Sequence, residues 1–275
     1  MRFSLVVATL GRVEELRALL GSLAGQGDFE VILVDQNADD RLMGVVKEFA
    51  GGMAIQHVRV AERKLSAARN VGIGLCAGEI IGFPDDDCVY PPGVLAAVDA
   101  AFGDVGLDVL SGVARSPEGG LGSGRWSVEA GAITERDVWT QVIAFNLFLR
   151  RSMLERIGGF DAMLGVGVVH GSCEDTDLVI RALRVGGNGW YDPALAVVHP
   201  DKRLTPVAVA RAFTYAAGFG YVLRKHGYGL RAIVTYVARP IGGMVLSVLR
   251  GRGLAARYYW ETIRGRIYGY LTYIK

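Results

Sequence analysis

The sequence predicts an α/β fold, a mostly parallel sheet with flanking helices, followed by a helical C-terminal region. Short β-branched runs alternate with helix-period segments through the first hundred residues, the pattern of strands joined by crossover helices. Clusters of polar and acidic residues sit directly after these runs, where an open α/β sheet places its ligand crevice. From Pro206 onward the apolar residues recur with helical period.

Taken in order, Phe3–Ala8, Glu30–Val34, Ala54–Val60 and Glu79–Phe83 read as strands, being short, apolar and rich in β-branched residues. Val13–Ala24, Arg41–Ala50, Ser66–Leu75 and Pro92–Phe102 read as the helices between and after them. Asp108–Val113 reads as a fifth strand. Ser116–Gly131 is a Gly-rich loop containing Trp126, and the apolar run Val142–Leu149 has the length of a strand. Ser152–Ile157 is a short helix, Gly158-Gly159-Phe160-Asp161 a turn, and Ala162–Ser172 a second Gly-rich loop. Glu174–Val185 is helical by pattern, and Ala194–Val198 is a strand ending in His199-Pro200. Val207–His226, Leu230–Leu249 and Leu254–Ile274 complete the chain as helices, punctuated by Gly227, Gly251 and Gly253. A composition shift near residue 203 divides the chain into 1–203 and 204–275.

With 275 residues, 51% of them apolar, the chain has material for one large or two small packed cores, and disorder is excluded. The formal net charge of +2 conceals a division. Residues 202–275 carry thirteen Lys/Arg against one acid, Glu261, and nine of the eleven tyrosines. The acidic excess lies in the first 201 residues. A basic, aromatic tail implies an anionic partner, either phospholipid or nucleic acid. Its three cysteines, Cys76, Cys88 and Cys173, are odd in number and unpaired in spacing, which favours a reducing, cytoplasmic setting. Gly11, Arg12 and Glu14 interrupt the first apolar run before it resembles a secretion signal. No charge-free run exceeds twelve residues, too short for a conventional membrane span.

The strand ends carry the candidate chemistry. Strand one ends in Thr9-Leu10-Gly11-Arg12, strand two in Asp35-Gln36-Asn37, and strand four in Pro84-Asp85-Asp86-Asp87. Three adjacent carboxylates repel one another unless a cation compensates, and a hard divalent ion such as Mg²⁺ or Mn²⁺ takes carboxylate oxygens. An acidic turn capping the helix after Pro91-Pro92 accounts for the same residues equally well. Alternation along extended chain points Asp85 and Asp87 one way and Asp86 the other. Glu174-Asp175-Thr176-Asp177 opens a helix, where acids meet the positive end of the macrodipole. The Gly-rich loop before it adds a second reading, in which a carboxylate is brought to a reacting hydroxyl as general base. His57, His170 and His226 have structural explanations at a strand edge, in a loop and at a helix end. His199 follows a strand and can complete the coordination of a metal held by the aspartates.

The ordered set Thr9, Val34-Asp35, Ala68-Arg69-Asn70-Val71-Gly72, Phe83-Pro84-Asp85-Asp86-Asp87, Gly158-Gly159-Phe160-Asp161 and Glu174-Asp175 resembles the family 2 nucleotide-sugar glycosyltransferases of GT-A fold. The resemblance covers roughly residues 1–200. It implies a Rossmann-like sheet and a set of roles. Thr9 and Asp35 match positions that hold the nucleotide base, where a carboxylate accepting the N3–H of uracil or thymine favours a UDP- or dTDP-sugar. Arg69 matches a basic residue near the base and ribose. Asp85 and Asp87 fit the family's DxD motif, with Asp85 or Asp86 toward the ribose and Asp87 the firmest ligand of Mn²⁺ or Mg²⁺. Asp175, beside Glu174, matches the catalytic base, and His199 resembles a late metal or diphosphate contact.

Two departures stand out. Gln36 replaces a residue that is more often Asn, Asp, Gly or Ser, and the Gln-x-x-Arg-Trp motif of processive synthases is missing, since Gly124-Arg125-Trp126 lacks the Gln. The resemblance therefore implies inverting, non-processive transfer of one sugar. A sugar-nucleotide nucleotidyltransferase is the second reading, disfavoured because Thr9-Leu10-Gly11-Arg12 lacks a Gly-rich, Arg-containing loop of the usual kind. A non-catalytic membrane adaptor is the third. No nucleic-acid-binding motif accompanies the tail, and its apolar content exceeds what phosphate contact requires. An anionic membrane surface is the expected partner, met from the cytoplasmic face, with a lipid-linked or membrane-delivered glycan as acceptor. An ordinary packed subdomain with a solvated basic face is the alternative for the same helices.

Overall fold

A computed structural model describes residues 1–122 and 124–273. Ile274, the expected end of the last helix, and Ser123 of the first Gly-rich loop lie outside the described residues. In chain order the elements are β1 (Phe3–Thr9), α1 (Glu14–Leu23), β2 (Phe29–Asp35), α2 (Met43–Phe49), β3 (Ala54–Arg59), α3 (Leu65–Ile73), β4 (Ile80–Gly82) and α4 (Val94–Ala101). They continue as β5 (Val109–Arg115), β6 (Gly131–Ala132), α5 (Val138–Gln141), β7 (Leu147–Arg150), α6 (Arg151–Ile157), α7 (Glu174–Arg184) and β8 (Gly189–Val198). Three long helices follow: α8 (Pro206–Lys225), α9 (Leu230–Leu249) and α10 (Gly253–Thr272).

The strands form one sheet in the order β3-β2-β1-β4-β7-β5-β8-β6. β3, β2, β1 and β4 run parallel. β7 is antiparallel to β4 and β5, while β8 runs parallel to β5. Thr9 lies opposite Asp35, and Asp35 opposite Arg59, so three strands finish on one rim and expose their following residues together.

Helical period buries Leu16, Leu19, Leu20 and Leu23 of α1 in the main core with Leu5 and Val7 of β1. α3 approaches the sheet so closely that a Cβ on Gly72 would lie 2.4 Å from Val6 Cγ1. The chain forms two compact units. One comprises Met1–Phe160 and Asp175–Asp201, and holds the sheet; the other joins Asp161–Glu174 to the residues from Lys202 onward.

In the second unit, α10 and α8 meet backbone to backbone, since a Cβ on Gly269 would fall 1.9 Å from the Ala217 carbonyl oxygen. The segment 161–174 is tied to α8. Gly171 N–H donates to the Thr214 carbonyl (2.9 Å), Ser172 Oγ to the Tyr215 carbonyl (2.6 Å), and Lys225 pairs with Asp161 (2.6 Å). Pro240 sits inside α9 and has no N–H for the carbonyl four residues earlier, that of Tyr236. Arg266 of α10 donates to that carbonyl instead and lies over the Phe219 ring at 4.5 Å. Among the described residues, no helix is long and apolar enough to cross a membrane.

Two expectations about strands change. Val142–Leu149 is not one strand; it contains a single 3₁₀ turn, Ala144–Asn146, before β7 begins at Leu147. Buried Asn146 donates through Nδ2 to the carbonyls of Val113 (3.0 Å) and Leu195 (2.8 Å), contacts that bend the path. Apolar composition marked burial there, not backbone direction. β8 starts at Gly189, five residues before the expected Ala194. A register shift between Gly112 and Val113 leaves Pro193, which has no N–H for the ladder, outside the pairing.

Candidate active site

The acidic triad after β4 is already matched by cations from the chain. Arg69 of α3 is 1% exposed and donates to Asp85 Oδ1 at 2.7 Å. Arg12, after β1, places Nη1 2.8 Å from Asp86 Oδ1 and also pairs with Asp87 Oδ2. His199, after β8, brings Nε2 to 3.3 Å from Asp87 Oδ1. The sequence argument that these carboxylates require compensation is therefore answered inside the protein.

Burial acts on each group differently. It pushes the Asp86 carboxyl up, more than the Thr9 hydroxyl and Arg12 bring it down. Burial would raise Asp87 as well, but His199 and Arg12 outweigh it and hold Asp87 below the ordinary carboxylate value. His199 is raised because Asp87 and Asp85 favour its charge more than burial opposes it.

Asp85, Asp87 and His199 offer ligand atoms within 4.8 Å of one another. Two hard carboxylate oxygens and one imidazole nitrogen suit a divalent ion. The imidazole is oriented for the task. Its Nδ1 lies 2.8 Å from the Pro200 carbonyl and its Nε2 3.3 Å from Asp87 Oδ1; both oxygens only accept, so the ring carries a proton on each nitrogen here, and Nε2, facing the aspartates, becomes a ligand on losing its proton. The ring stacks on Phe145 at 4.5 Å and 8°. The donor set fits a divalent cation.

Asp175 lies in the first turn of α7, and Cys173 just before it adopts φ 65°. This left-handed conformation is strained for a side chain other than glycine. Asp175 Oδ2 accepts from Ala144 N–H (3.0 Å), and Oδ1 from Thr176 N–H (2.7 Å). Burial raises its pKa, against the opposing pull of Thr176, Arg69 and Ala144. Arg69, bonded to Asp85 with its guanidinium 5.3 Å over the Phe160 ring, thus also favours the charge of Asp175. Glu174 is buried beside Asp175.

Asp35 is differently disposed. Its carboxylate is 0% exposed, accepting at Oδ1 from Asn37 N–H and Asn37 Nδ2, each at 2.8 Å, while Oδ2 meets His57 Nε2 at 2.9 Å. Asn37 Oδ1 in turn accepts from Gly11 N–H at 2.8 Å, tying the loop after β2 to the loop after β1. A nucleotide base reaching Asp35 must exchange one of these partners.

Sequence reasoning missed several residues. Arg12 was passed over as one charge in a loop. The turn 144–146 supplies the N–H to Asp175, the ring against His199, and a carbonyl that accepts from Tyr90 Oη at 2.6 Å. A polar Asn146 inside an apolar run was the available signal. Asp177, 0% exposed, pairs with Arg181 at 2.9 Å, and Arg181 donates to the carbonyls of Ile157 and Gly159. Asn70 completes the Gly-Gly-Phe-Asp turn, exchanging two 2.8 Å bonds with the Phe160 backbone.

Residues 4–160 match the family model described as glycosyl transferase family 2. The chain belongs to glycosyl transferase family 2. Among curated family members, the chain is 24% identical over 188 residues to Glycosyltransferase AglE of Haloferax volcanii, covering 63% of this chain and 61% of that protein. It spans less than two thirds of the length of the curated relatives it matches, 42% in the PGL/p-HBAD biosynthesis glycosyltransferase of Mycobacterium tuberculosis. The fold is shared with solved structures. Mannosyltransferase PcManGT from Pyrobaculum calidifontis, in complex with GDP-Man and Mn²⁺, superposes with a TM-score of 0.67 at 18% identity over 98% of this chain and 86% of that one. Residues 1–349 of S. aureus TarS in complex with UDP-GlcNAc superpose with a TM-score of 0.61 at 16% identity, over 96% and 90%.

Proposed function

We propose that this chain is an inverting, non-processive glycosyltransferase that moves one sugar from a nucleotide-diphosphate sugar to a hydroxyl of a lipid-linked or membrane-delivered glycan. The observation that carries the reading is the gathering of Asp85, Asp87 and His199 ligand atoms within 4.8 Å of one another, with Arg69, bonded to Asp85, also favouring the charge of the buried Asp175. In this reading Asp175 takes the proton of the acceptor hydroxyl as that oxygen attacks the anomeric carbon, while Glu174 supports it from the same turn. Burial makes Asp175 a stronger base than an exposed carboxylate, which suits general-base work near neutral pH.

Asp85, Asp87 and His199 hold Mn²⁺ or Mg²⁺. The ion supplies positive charge against the donor diphosphate when bound. Thr9, Asp35, Arg69, Asp85 and Asp86 form the nucleotide side, for a UDP- or dTDP-sugar in preference to GDP. The GDP-Man held by the Pyrobaculum neighbour keeps GDP-sugars in the test. Residues 1–203 carry the chemistry, and the basic helices of 204–275 rest on the cytoplasmic face of an anionic membrane.

The test is a panel of UDP-, dTDP- and GDP-sugars with each ion, scored for donor hydrolysis by wild type and Asp175→Asn. Release of nucleoside diphosphate by wild type, lost in the variant, supports the reading. Pyrophosphate release would instead establish nucleotidyl transfer, and the absence of turnover with any donor would establish a non-catalytic adaptor.

A further inference from the structure

We propose that Arg12 is a built-in cation that occupies the acidic triad until a divalent ion displaces it, and that its released guanidinium then pairs with the donor diphosphate. The inference rests on the metal reading above. One nitrogen of Arg12 bridges Asp86 Oδ1 and Asp87 Oδ2, and His199 engages the other oxygen of Asp87. Both oxygens of the expected principal ligand are therefore already engaged, and an ion entering at Asp87 must move one partner aside.

Only one of the three basic partners is free to move. Arg69 is 1% exposed, bonded to Asp85 and lodged over Phe160. His199 is stacked on Phe145 and held at Nδ1 by the Pro200 carbonyl. Arg12 is 41% exposed on the loop joining β1 to α1, with a flexible stem and Gly11 before it at φ 79°. Charge favours the exchange. Withdrawing Arg12 removes one positive charge from a cluster of three carboxylates and leaves Arg69 and His199 as its basic partners, which favours entry of another cation. The withdrawn guanidinium is a fork suited to phosphate oxygens.

Metal and donor binding are then coupled, because an ion arriving alone strips Arg12 of its carboxylates, whereas an ion arriving with a diphosphate gives Arg12 a new partner. The experiment measures Mn²⁺ binding to the full chain by the electron paramagnetic resonance signal of the free ion, with and without UDP, and with GDP as a second nucleotide. Arg12→Gln is expected to bind Mn²⁺ alone about 10-fold more tightly than wild type, the scale of one charge-assisted hydrogen bond. The gain in Mn²⁺ affinity on adding nucleotide shrinks in that variant. Arg12→Lys, which keeps the charge, stays near wild type without nucleotide, and melting curves confirm that both variants fold. Equal or weaker Mn²⁺ binding by Arg12→Gln, with binding abolished by Asp87→Asn, overturns the exchange and leaves the metal reading intact. Absence of Mn²⁺ binding from every form overturns both.

Discussion

Asp175 is a carboxylate held away from water by burial and steadied by two backbone N–H groups, and that placement has opposite consequences for stability and for chemistry. A folded-state pKa raised above the ordinary 3.8 means that the native state binds the proton more tightly than the unfolded chain. The associated stability is present below the unfolded pKa and is lost as pH rises through the folded one. Asp175→Asn removes that loss. The melting temperature of the variant relative to wild type is expected to rise from pH 5 to pH 8 on the order of a few degrees, over a constant cost, because its amide oxygen serves only one of the two N–H groups. Transfer should fall about 10²- to 10⁴-fold in the same variant. For wild type, the rate should decline on acidification at a pH above the usual carboxylate range, because the base must be unprotonated. Calorimetry and a pH–rate profile check the two effects independently. The position of Asp175 at a helix start was legible from Glu174-Asp175-Thr176-Asp177. Its burial was not, since it depends on Ala144 and Arg69, distant in sequence.

At the level of elements, close approach is written into single glycines and prolines. Gly72→Ala adds a better helix former to α3, yet its Cβ would press on Val6 Cγ1, a branched side chain with no room to retreat. We expect a net loss of about 1–3 kcal/mol in denaturant melts. In the helical unit, Arg266 donates to the Tyr236 carbonyl, for which Pro240 has no N–H to offer. Arg266→Ala should cost about 1–3 kcal/mol in the wild-type background. The cost should be smaller beside Pro240→Ala, where the restored N–H serves the same carbonyl. A double-mutant cycle measures the difference. Most of the alternating strands and helices through α4 were legible because short β-branched apolar runs and helix-period segments differ locally. The turn 144–146 was not, because Asn146 is satisfied by Val113 and Leu195, partners that no local pattern identifies.

At the scale of the chain, the near-zero net charge averages an acidic portion and a basic one. α9 leaves Val234, Ile241, Val245, Val248 and Leu249 exposed, with arginines at Arg231, Arg239 and Arg250 on the same helix or at its end. Binding of the full chain to vesicles containing anionic phospholipid is expected to fall steeply as salt rises from about 0.1 M toward 1 M, as the Debye length shortens from about 10 Å to 3 Å. Neutral vesicles should retain little protein, and sedimentation with each vesicle type checks both. Salt-independent binding would show that the apolar residues act without the charge.

By itself the sequence determined most of the strands and helices through α4, the mostly parallel sheet, the rim on which Thr9, Asp35 and Asp85–Asp87 sit, and the division of charge. These follow from local periodicity and from composition, which need no knowledge of distant contacts. The folded chain decided which cation meets each carboxylate. It placed Arg12 across Asp86 and Asp87, buried Arg69 against Asp85, and closed Asp35 against Asn37 and His57. Charge compensation acts through space, so partners 16 and 74 residues apart along the chain become neighbours only when the sheet brings their strand ends together.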